Sequence, residues 1–146
     1  MKKLADYVVG NVERFGSHRM TREDVIEFAS RFDPQPFHLD DLAAAVNPIF
    51  GRLAASGWHT ASATMRMLVD HARQTGFTAM GSPGLKSLRW ITPVYPGDVL
   101  SVESEILDAR QSKSRPEIGL VEARTTTFNQ HGETVMSMIA TTVVPA

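Results

Sequence analysis

The stretch SGWHTASATMRMLVDHARQTG, residues 56–76, decides the fold because it predicts one long helix. Its apolar side chains recur every three or four residues over about four turns, which places them on one helix face. Ser56 is of a type that commonly caps a helix start, and Gly76 is a typical helix stop. We therefore expect a central, mostly buried helix. Its predicted buried face consists of Trp58, Ala61, Met65, Leu68, Val69 and Ala72.

Beyond this helix, the apolar residues change from a helical to an alternating period, which predicts strands. The segment DVLSVESEILDAR, residues 98–110, shows the alternation most clearly. Leu100, Val102 and Ile106 would share one face of that strand, opposite its serines and glutamates. The predicted strands cover residues 85–94, 98–110, 119–130 and 133–144, with a turn at residues 96–98 and a hairpin loop at residues 129–132.

Upstream, TREDVIEFASRF, residues 21–32, predicts a shorter helix. Thr21 followed by Asp24 resembles a capping box, and the apolar residues after them recur at helical spacing. Pro34 ends this helix because a proline disfavours helical geometry in the residue before it. We therefore expect Asp33 at the exit of the helix.

The order of these elements predicts an α+β fold in a single domain over residues 1–146. An early strand at about residues 8–15 and a short helical piece at residues 39–47 precede the long helix. Because the later strands follow one another through short turns, we expect an antiparallel sheet that wraps or covers that helix.

The composition is that of an ordinary globular protein. Hydrophobic residues make up 42% of the 146-residue chain and charged residues 21%, which disfavours disorder. The net charge of −1, with acids and bases mixed along the chain, gives no sign of a surface for nucleic acid or a membrane. The absence of cysteine excludes disulfides, thiolate zinc sites and cysteine nucleophiles. Asp6 interrupts the first apolar run, so we expect no signal peptide, no membrane span and a cytoplasmic location.

The segment SRFDPQPFHLDD, residues 30–41, carries a pair of proton-handling side chains. Asp33 supplies a carboxylate and His38 an imidazole, the side chain that most readily exchanges protons near neutral pH. Five extended residues would span about 17 Å, so the chain must bend if both groups are to hold one water molecule. Pro34 and Pro36 restrict the backbone and keep such a bend at low entropic cost. As isolated residues, Asp33 also fits a turn cap and His38 an ordinary half-buried histidine.

The start of the long helix is a second candidate site. Ser56 and Gly57 lie where unpaired N–H groups and the positive end of the helix dipole point outward. Gly57 has no Cβ to keep a ligand carbonyl away, so its amide could hold a developing oxyanion. The same two residues also fit a plain N-cap and a tight helix entry. Trp58 and Met65 fit either a ligand channel or plain core, and His59 fits a pocket mouth or, better, a surface position.

Three segments together resemble the MaoC-like dehydratases, the (R)-specific enoyl-CoA hydratase relatives of the hotdog fold. They are FDPQPFHLDD at residues 32–41, AASGWHTASATMRML at residues 54–68 and LRWITPVYPGDVL at residues 88–100. The resemblance extends from about residue 7 to residue 144. Its most specific part is D-x-x-x-x-H with a proline two residues before the histidine, joined to a later small residue and glycine at a helix start.

The resemblance implies a single hotdog domain with acyl-thioester hydro-lyase activity. It assigns Asp33 and His38 as the catalytic pair and the Gly57 amide as an oxyanion donor. We also expect Ser56 and Trp58 to contact the substrate, and no metal or other cofactor to take part. The resemblance further implies an acyl-CoA or acyl carrier protein thioester as substrate, and a homodimer whose acyl-CoA tunnel lies near the subunit interface.

Three positions depart from the family pattern and bear on the substrate more than on the catalytic pair. Gln35 stands where hydratases usually have asparagine, and Ser56 where they often have histidine. Met65 occupies the position of a serine found in some hydratases.

Two other functions remain open alongside the predicted hydration of a 2-enoyl-CoA or dehydration of a 3-hydroxyacyl-CoA. A hotdog thioesterase would use a carboxylate, often on the central helix. The chain has no Asp or Glu between Gly57 and Val69, although Asp33 could serve instead. A non-catalytic acyl-ligand binding module would keep the fold without turnover, but it would have no use for a general base.

Overall fold

A five-stranded antiparallel sheet and one long helix form the body of the molecule in the computed structural model, which describes residues 1–77 and 79–146. The strands are β1 Val12–Arg19, β2 Gly81–Trp90, β3 Val99–Gln111, β4 Ile118–Phe128 and β5 Thr134–Pro145. The helices are α1 Arg22–Phe32, α2 Asp41–Ala45 and α3 Gly57–Thr75, with short 3-10 helices at Leu4–Asp6 and Pro36–His38. The predicted α+β hotdog architecture is confirmed.

The sheet has the order β1-β3-β4-β5-β2, and every neighbouring pair is antiparallel. Because short turns join β3 to β4 and β4 to β5, β4 pairs with β3 and β5 pairs with β4. β2 follows α3 and pairs with β5, so β1 and β2 form the two edges. The outer side of β2 has no partner strand among the described residues.

The predicted ends of α3 are confirmed. The Trp58 N–H donates to Ser56 Oγ at 3.2 Å, and Gly76 ends the helix with a φ of 75°. The predicted buried face was wrong in part, because Trp58 and Met65 are 58% and 51% exposed, whereas Ala61 and Leu68 pack against the core. The buried side chains of α3 are His59, Thr60, Ala63, Thr64 and Met67.

Small and hydroxyl-bearing side chains face the sheet because they let α3 approach it closely. Thr64 Oγ1 donates to the Thr60 carbonyl at 2.8 Å and lies 2.8 Å from Thr127 Oγ1 on β4. These bonds satisfy buried hydroxyls that would otherwise be costly. On β1, a Cβ at Gly16 would lie 2.6 Å from the Met67 sulfur, so this strand also passes very near the helix. Trp58, Met65 and Val69 of the predicted apolar stripe are left exposed.

The main core lies between α1, α3 and one face of the sheet. The predicted inward positions Leu100 and Val102 are buried there, together with Val25 of α1 and Met67 of α3. This packing fixes the end of α1 against the start of α3. None of the described helices is long and apolar enough to cross a membrane.

Two strands lie a few residues away from their predicted positions. β1 runs four residues beyond residue 15 because Gly16, at a φ of 84°, accommodates an irregularity in its pairing with β3. β2 covers residues 81–90 rather than 85–94. It ends early because Pro93 has no N–H for the ladder, whereas Gly81 and Gly84 pair with β5.

Candidate active site

Asp33 closes α1 and directs its carboxylate toward the start of α3. It is the C-cap of the helix because Pro34 disfavours helical geometry at this position. Gln35 Nε2 donates to its Oδ1 at 2.6 Å, and Ser56 Oγ donates to its Oδ2 at 2.7 Å. Each carboxylate oxygen therefore has its own donor, which fixes the orientation of the group.

The 3-10 helix Pro36–His38 brings the imidazole back toward Asp33. The His38 side chain is buried, and its Nδ1 lies 2.7 Å from the Ala54 carbonyl oxygen. Because a carbonyl can only accept, Nδ1 carries a hydrogen, and Nε2 of the neutral ring is an acceptor. This Nε2 lies 3.4 Å from Asp33 Oδ2. The two side chains therefore converge, as expected from a bend in the backbone at Pro34 and Pro36.

The surroundings of Asp33 favour its ionised form. Burial raises the pKa of the Asp33 carboxyl, but the hydrogen bonds from Ser56 and Gln35 and the charge of His38 together lower it below its usual value. Asp33 is therefore a carboxylate at neutral pH. When the His38 ring is neutral, its Nε2 and Oδ2 of Asp33 are two facing acceptors, which suits a shared donor such as a water molecule.

Ser56 contacts protein groups rather than open space. Its side chain is fully buried, accepts from the Trp58 N–H and donates to Asp33. The hydroxyl thus has no hydrogen left for a ligand. The expected contact of Ser56 with substrate stays a prediction.

Gly57 begins α3, and its amide N–H has no hydrogen-bond acceptor within residues 1–77 and 79–146. A Cβ at this position would lie 2.7 Å from Nε1 of Trp90, so the missing side chain makes room for that indole. Trp90 Nε1 also donates to the Gly57 carbonyl at 2.8 Å. This packing agrees with the tight helix entry considered for Gly57, while access for a ligand carbonyl stays a prediction.

The two residues after Gly57 lie in opposite environments. Trp58 is exposed and meets Trp90 edge-on, with ring centroids 5.0 Å apart. Its contact with a substrate stays a prediction. The expected surface position of His59 was wrong, because this side chain is buried and stacks on Phe28 of α1 with centroids 4.8 Å apart.

A cavity of about 540 Å³ lies between the second half of α3 and the sheet. Met65 is among its lining residues, eight residues beyond Gly57 and so about 12 Å further along the helix. Apolar lining residues include Met65, Leu68 and Val69 of α3 and Leu85, Ile106 and Met138 of the sheet. Sequence reasoning missed this cavity because its walls come from distant segments. No group of three His, Asp or Glu side chains suited to a metal ion occurs in the part of the chain that the structure describes.

The fold and the site together define a hotdog protein in which a carboxylate and an imidazole meet close to the start of the central helix. The family model for the MaoC like domain matches residues 8–129. The chain belongs to this family.

Relatives of known structure support the same assignment. The MaoC-like dehydratase from Rhodospirillum rubrum is 41% identical, with a TM-score of 0.89, and the match covers 99% of this chain and 97% of that one. The unliganded R-hydratase from Pseudomonas aeruginosa is 28% identical, with a TM-score of 0.72 and coverage of 98% and 85%.

A protein of Bacillus subtilis, YdeM, is 30% identical over 128 residues, or 88% of each chain, and is described as uncharacterized. The family and its R-hydratase members thus support hydratase or dehydratase activity in general.

Proposed function

We propose that the protein is an acyl-thioester hydro-lyase that hydrates a 2-enoyl-CoA and, in reverse, dehydrates a 3-hydroxyacyl-CoA. The observation that carries this proposal is the 3.4 Å approach of Asp33 Oδ2 to His38 Nε2 beside the free amide of Gly57. A water molecule can donate one hydrogen to each acceptor, which leaves its oxygen lone pairs directed at a substrate.

In the proposed hydration, the oxygen of this water attacks C3 of the enoyl group. The proton released from the water passes to the Asp33–His38 pair, and the pair returns a proton to C2. One C–O bond and one C–H bond form as the carbon–carbon π bond breaks, so the product contains one added water and the pair is restored. No electrons are exchanged, and the step requires no redox cofactor.

In this reaction the Gly57 amide provides electrostatic stabilisation of the thioester oxygen. As C3 is attacked, negative charge develops on the thioester oxygen. An N–H at the positive end of α3 stabilises that charge, and a preorganised donor of this kind commonly contributes 10²-fold or more in rate, as a rough guide. Trp58, exposed beside Gly57, is in a position to cover the thioester.

We also propose a homodimer. Exposed apolar side chains of α3 and of edge strand β2, including Met65, Val69 and Leu85, line one common cavity. Such a surface is more extensive than isolated exposed residues, and a second copy could cover it. The acyl chain would then lie near the subunit interface.

The direct test is incubation with crotonyl-CoA and with enoyl-CoAs of longer chain, while enoyl absorbance and free thiol are followed together. Hydration predicts loss of absorbance without thiol release. Thiol release would instead indicate a thioesterase, and no change in either signal at any chain length would indicate a binding module.

The catalytic pair is tested by two variants in the same assay. Asp33→Asn keeps the size of the side chain but removes its charge, and His38→Ala removes the imidazole. Each should lower kcat by about a hundredfold or more, which is the usual contribution of a general base. Circular dichroism should show that both variants remain folded. If both keep wild-type activity, the pair has no part in the reaction.

A further inference from the structure

We propose that Ser56 is a positioning residue, which holds the Asp33 carboxylate against His38 while it caps α3. This inference rests on the proposed function, because it gives Ser56 a part in the reaction of Asp33. Hydrogen-bond direction, burial and chain connectivity each support it.

The direction of the Ser56 hydroxyl is fixed from both sides. The Trp58 N–H can only donate, so its 3.2 Å contact uses a lone pair of Ser56 Oγ. The hydroxyl hydrogen then points to Asp33 Oδ2, 2.7 Å away. An ionised carboxylate can only accept, so both bonds are satisfied at once. A hydrogen bond to a charged acceptor is also the stronger kind.

Burial makes this bond harder to replace than the other bond to Asp33. Ser56 is fully buried, whereas Gln35, which donates to Oδ1, lies exposed. Water can take the place of a truncated Gln35 side chain. It has no such access at Ser56, so loss of that hydroxyl leaves a carboxylate oxygen without its donor. The two truncations should therefore have unequal effects.

Chain connectivity joins the proposed base to the proposed oxyanion donor. Gly57, whose N–H is to polarise the thioester, directly follows Ser56. The side chain of Ser56 therefore sets the position of Asp33 relative to an amide one peptide bond away. Errors in such spacing affect the transition state more than substrate binding, so kcat should change more than KM.

The Ser56 bond also favours the ionised base. Burial raises the pKa of Asp33, and the Ser56 hydrogen bond is the largest of the effects that lower it below its usual value. His38 is the titratable group that faces Asp33, whereas Ser56 of α3 and Gln35 are neutral. Removal of the Ser56 hydroxyl should therefore move the acid limb of the activity profile to higher pH.

The kinetic test compares Ser56→Ala and Ser56→Gly with Gln35→Ala and Thr21→Ala. Glycine is tolerated at a helix N-cap nearly as well as serine, so Ser56→Gly removes the hydroxyl with little loss of capping. Thr21→Ala is the matched control, because it removes the cap of α1 far from Asp33. With crotonyl-CoA, both Ser56 variants should lose about tenfold or more in kcat, with KM changed by no more than about twofold. Thr21→Ala should stay within about threefold of wild type, and Gln35→Ala should lose less kcat than either Ser56 variant.

A second readout does not depend on turnover. The ¹³C resonance of the Asp33 carboxyl, assigned by its loss in Asp33→Asn, reports the titration of this group directly. Its midpoint should lie at higher pH in Ser56→Gly than in wild type. An unchanged midpoint, or equal losses of kcat in Ser56→Gly and Thr21→Ala, would overturn the inference. If the wild-type protein hydrates no thioester, the proposed function fails, but the titration still decides whether Ser56 controls Asp33.

Discussion

At the residue scale, Gly57 shows how one position can meet two demands. Its amide faces no acceptor among the described residues, while the space of its missing side chain holds the indole of Trp90. Glycine is therefore explained by packing alone, and the free N–H needs only a helix start. These two properties can be separated by mutation.

Gly57→Ala should destabilise the protein because its Cβ would lie 2.7 Å from two atoms of the Trp90 ring. Overpacking of this kind costs about 1–3 kcal/mol. In a Trp90→Ala background the ring is gone, so the same change should cost close to nothing. Urea denaturation of the four proteins of this double-mutant cycle measures the coupling. An equal cost in both backgrounds would show that the indole is not the reason for the glycine.

The site could be predicted from sequence where its residues are close along the chain. Asp33 and His38 are five residues apart, and the prolines between them already indicated a bend. The hydrogen bond from Ser56 to Asp33 joins residues 23 positions apart, and no local sequence pattern predicts it. Sequence reasoning therefore missed this bond, because a helix N-cap looks the same whether or not its hydroxyl hydrogen also reaches a carboxylate.

At the element scale, α3 shows the limit of reading a helix face from hydrophobicity. Its length and both caps follow from local sequence, and these predictions are confirmed. Its orientation depends on how closely the sheet can approach, which favours Ala63 and Thr64 over the larger apolar residues. A threonine hydroxyl that bonds within its own helix can be buried at little cost. Met65 and Val69 of the apolar stripe are then left exposed.

The contact between α1 and α3 should make the protein sensitive to mild acid through His59. Burial lowers the pKa of His59, the charge of Asp24 raises it and that of His18 lowers it, with a net decrease. The buried Nδ1 has no hydrogen-bond partner among the described residues, so no acceptor there stabilises a hydrogen added to this nitrogen. Since α1 ends at Asp33, strain at this contact would reach the site.

The direction in which stability changes with pH follows from how many protons the folded and unfolded chains bind. Unfolded His59 has an ordinary pKa of about 6.5, above its folded value, so the unfolded chain binds more protons between the two. Stability should therefore decrease as pH falls below about 6.5 and level off below the folded pKa. Urea unfolding at several pH values should show a smaller decrease in His59→Leu than in wild type. His131→Gln, which changes an exposed histidine, is the control and should retain the decrease. Equal pH dependence in all three proteins would exclude His59 as the cause.

At the scale of the whole molecule, the strand order could be anticipated only in part. The three successive strands β3, β4 and β5 were recognisable because each alternates and ends in a turn. The positions of β1 and β2 at opposite edges depend on tertiary packing, which no local pattern contains. The consequence is an open edge beside an apolar helix face, a combination that only the assembled fold reveals.

This combined surface should be where two copies of the chain meet. Met65 and Val69 of α3 and Leu85 of β2 are 51%, 37% and 51% exposed and line the same cavity. The outer side of β2 also presents unpaired backbone groups, which a second β2 could satisfy in an antiparallel pair. In an isologous interface, each of these side chains occurs twice, once from each copy of the chain. One substitution therefore changes the interface at two points.

Met65→Lys should therefore separate the dimer, because it places two ammonium groups in an apolar interface without partners. Light scattering should give twice the mass of one chain for the wild type and a single-chain mass for the variant at micromolar concentration. Leu42→Lys is the matched control, since Leu42 is 79% exposed on α2 and does not line the cavity. It should remain dimeric. A wild-type protein that is monomeric across this range, or a Met65→Lys variant as dimeric as Leu42→Lys, would show that the exposed face of α3 has another role.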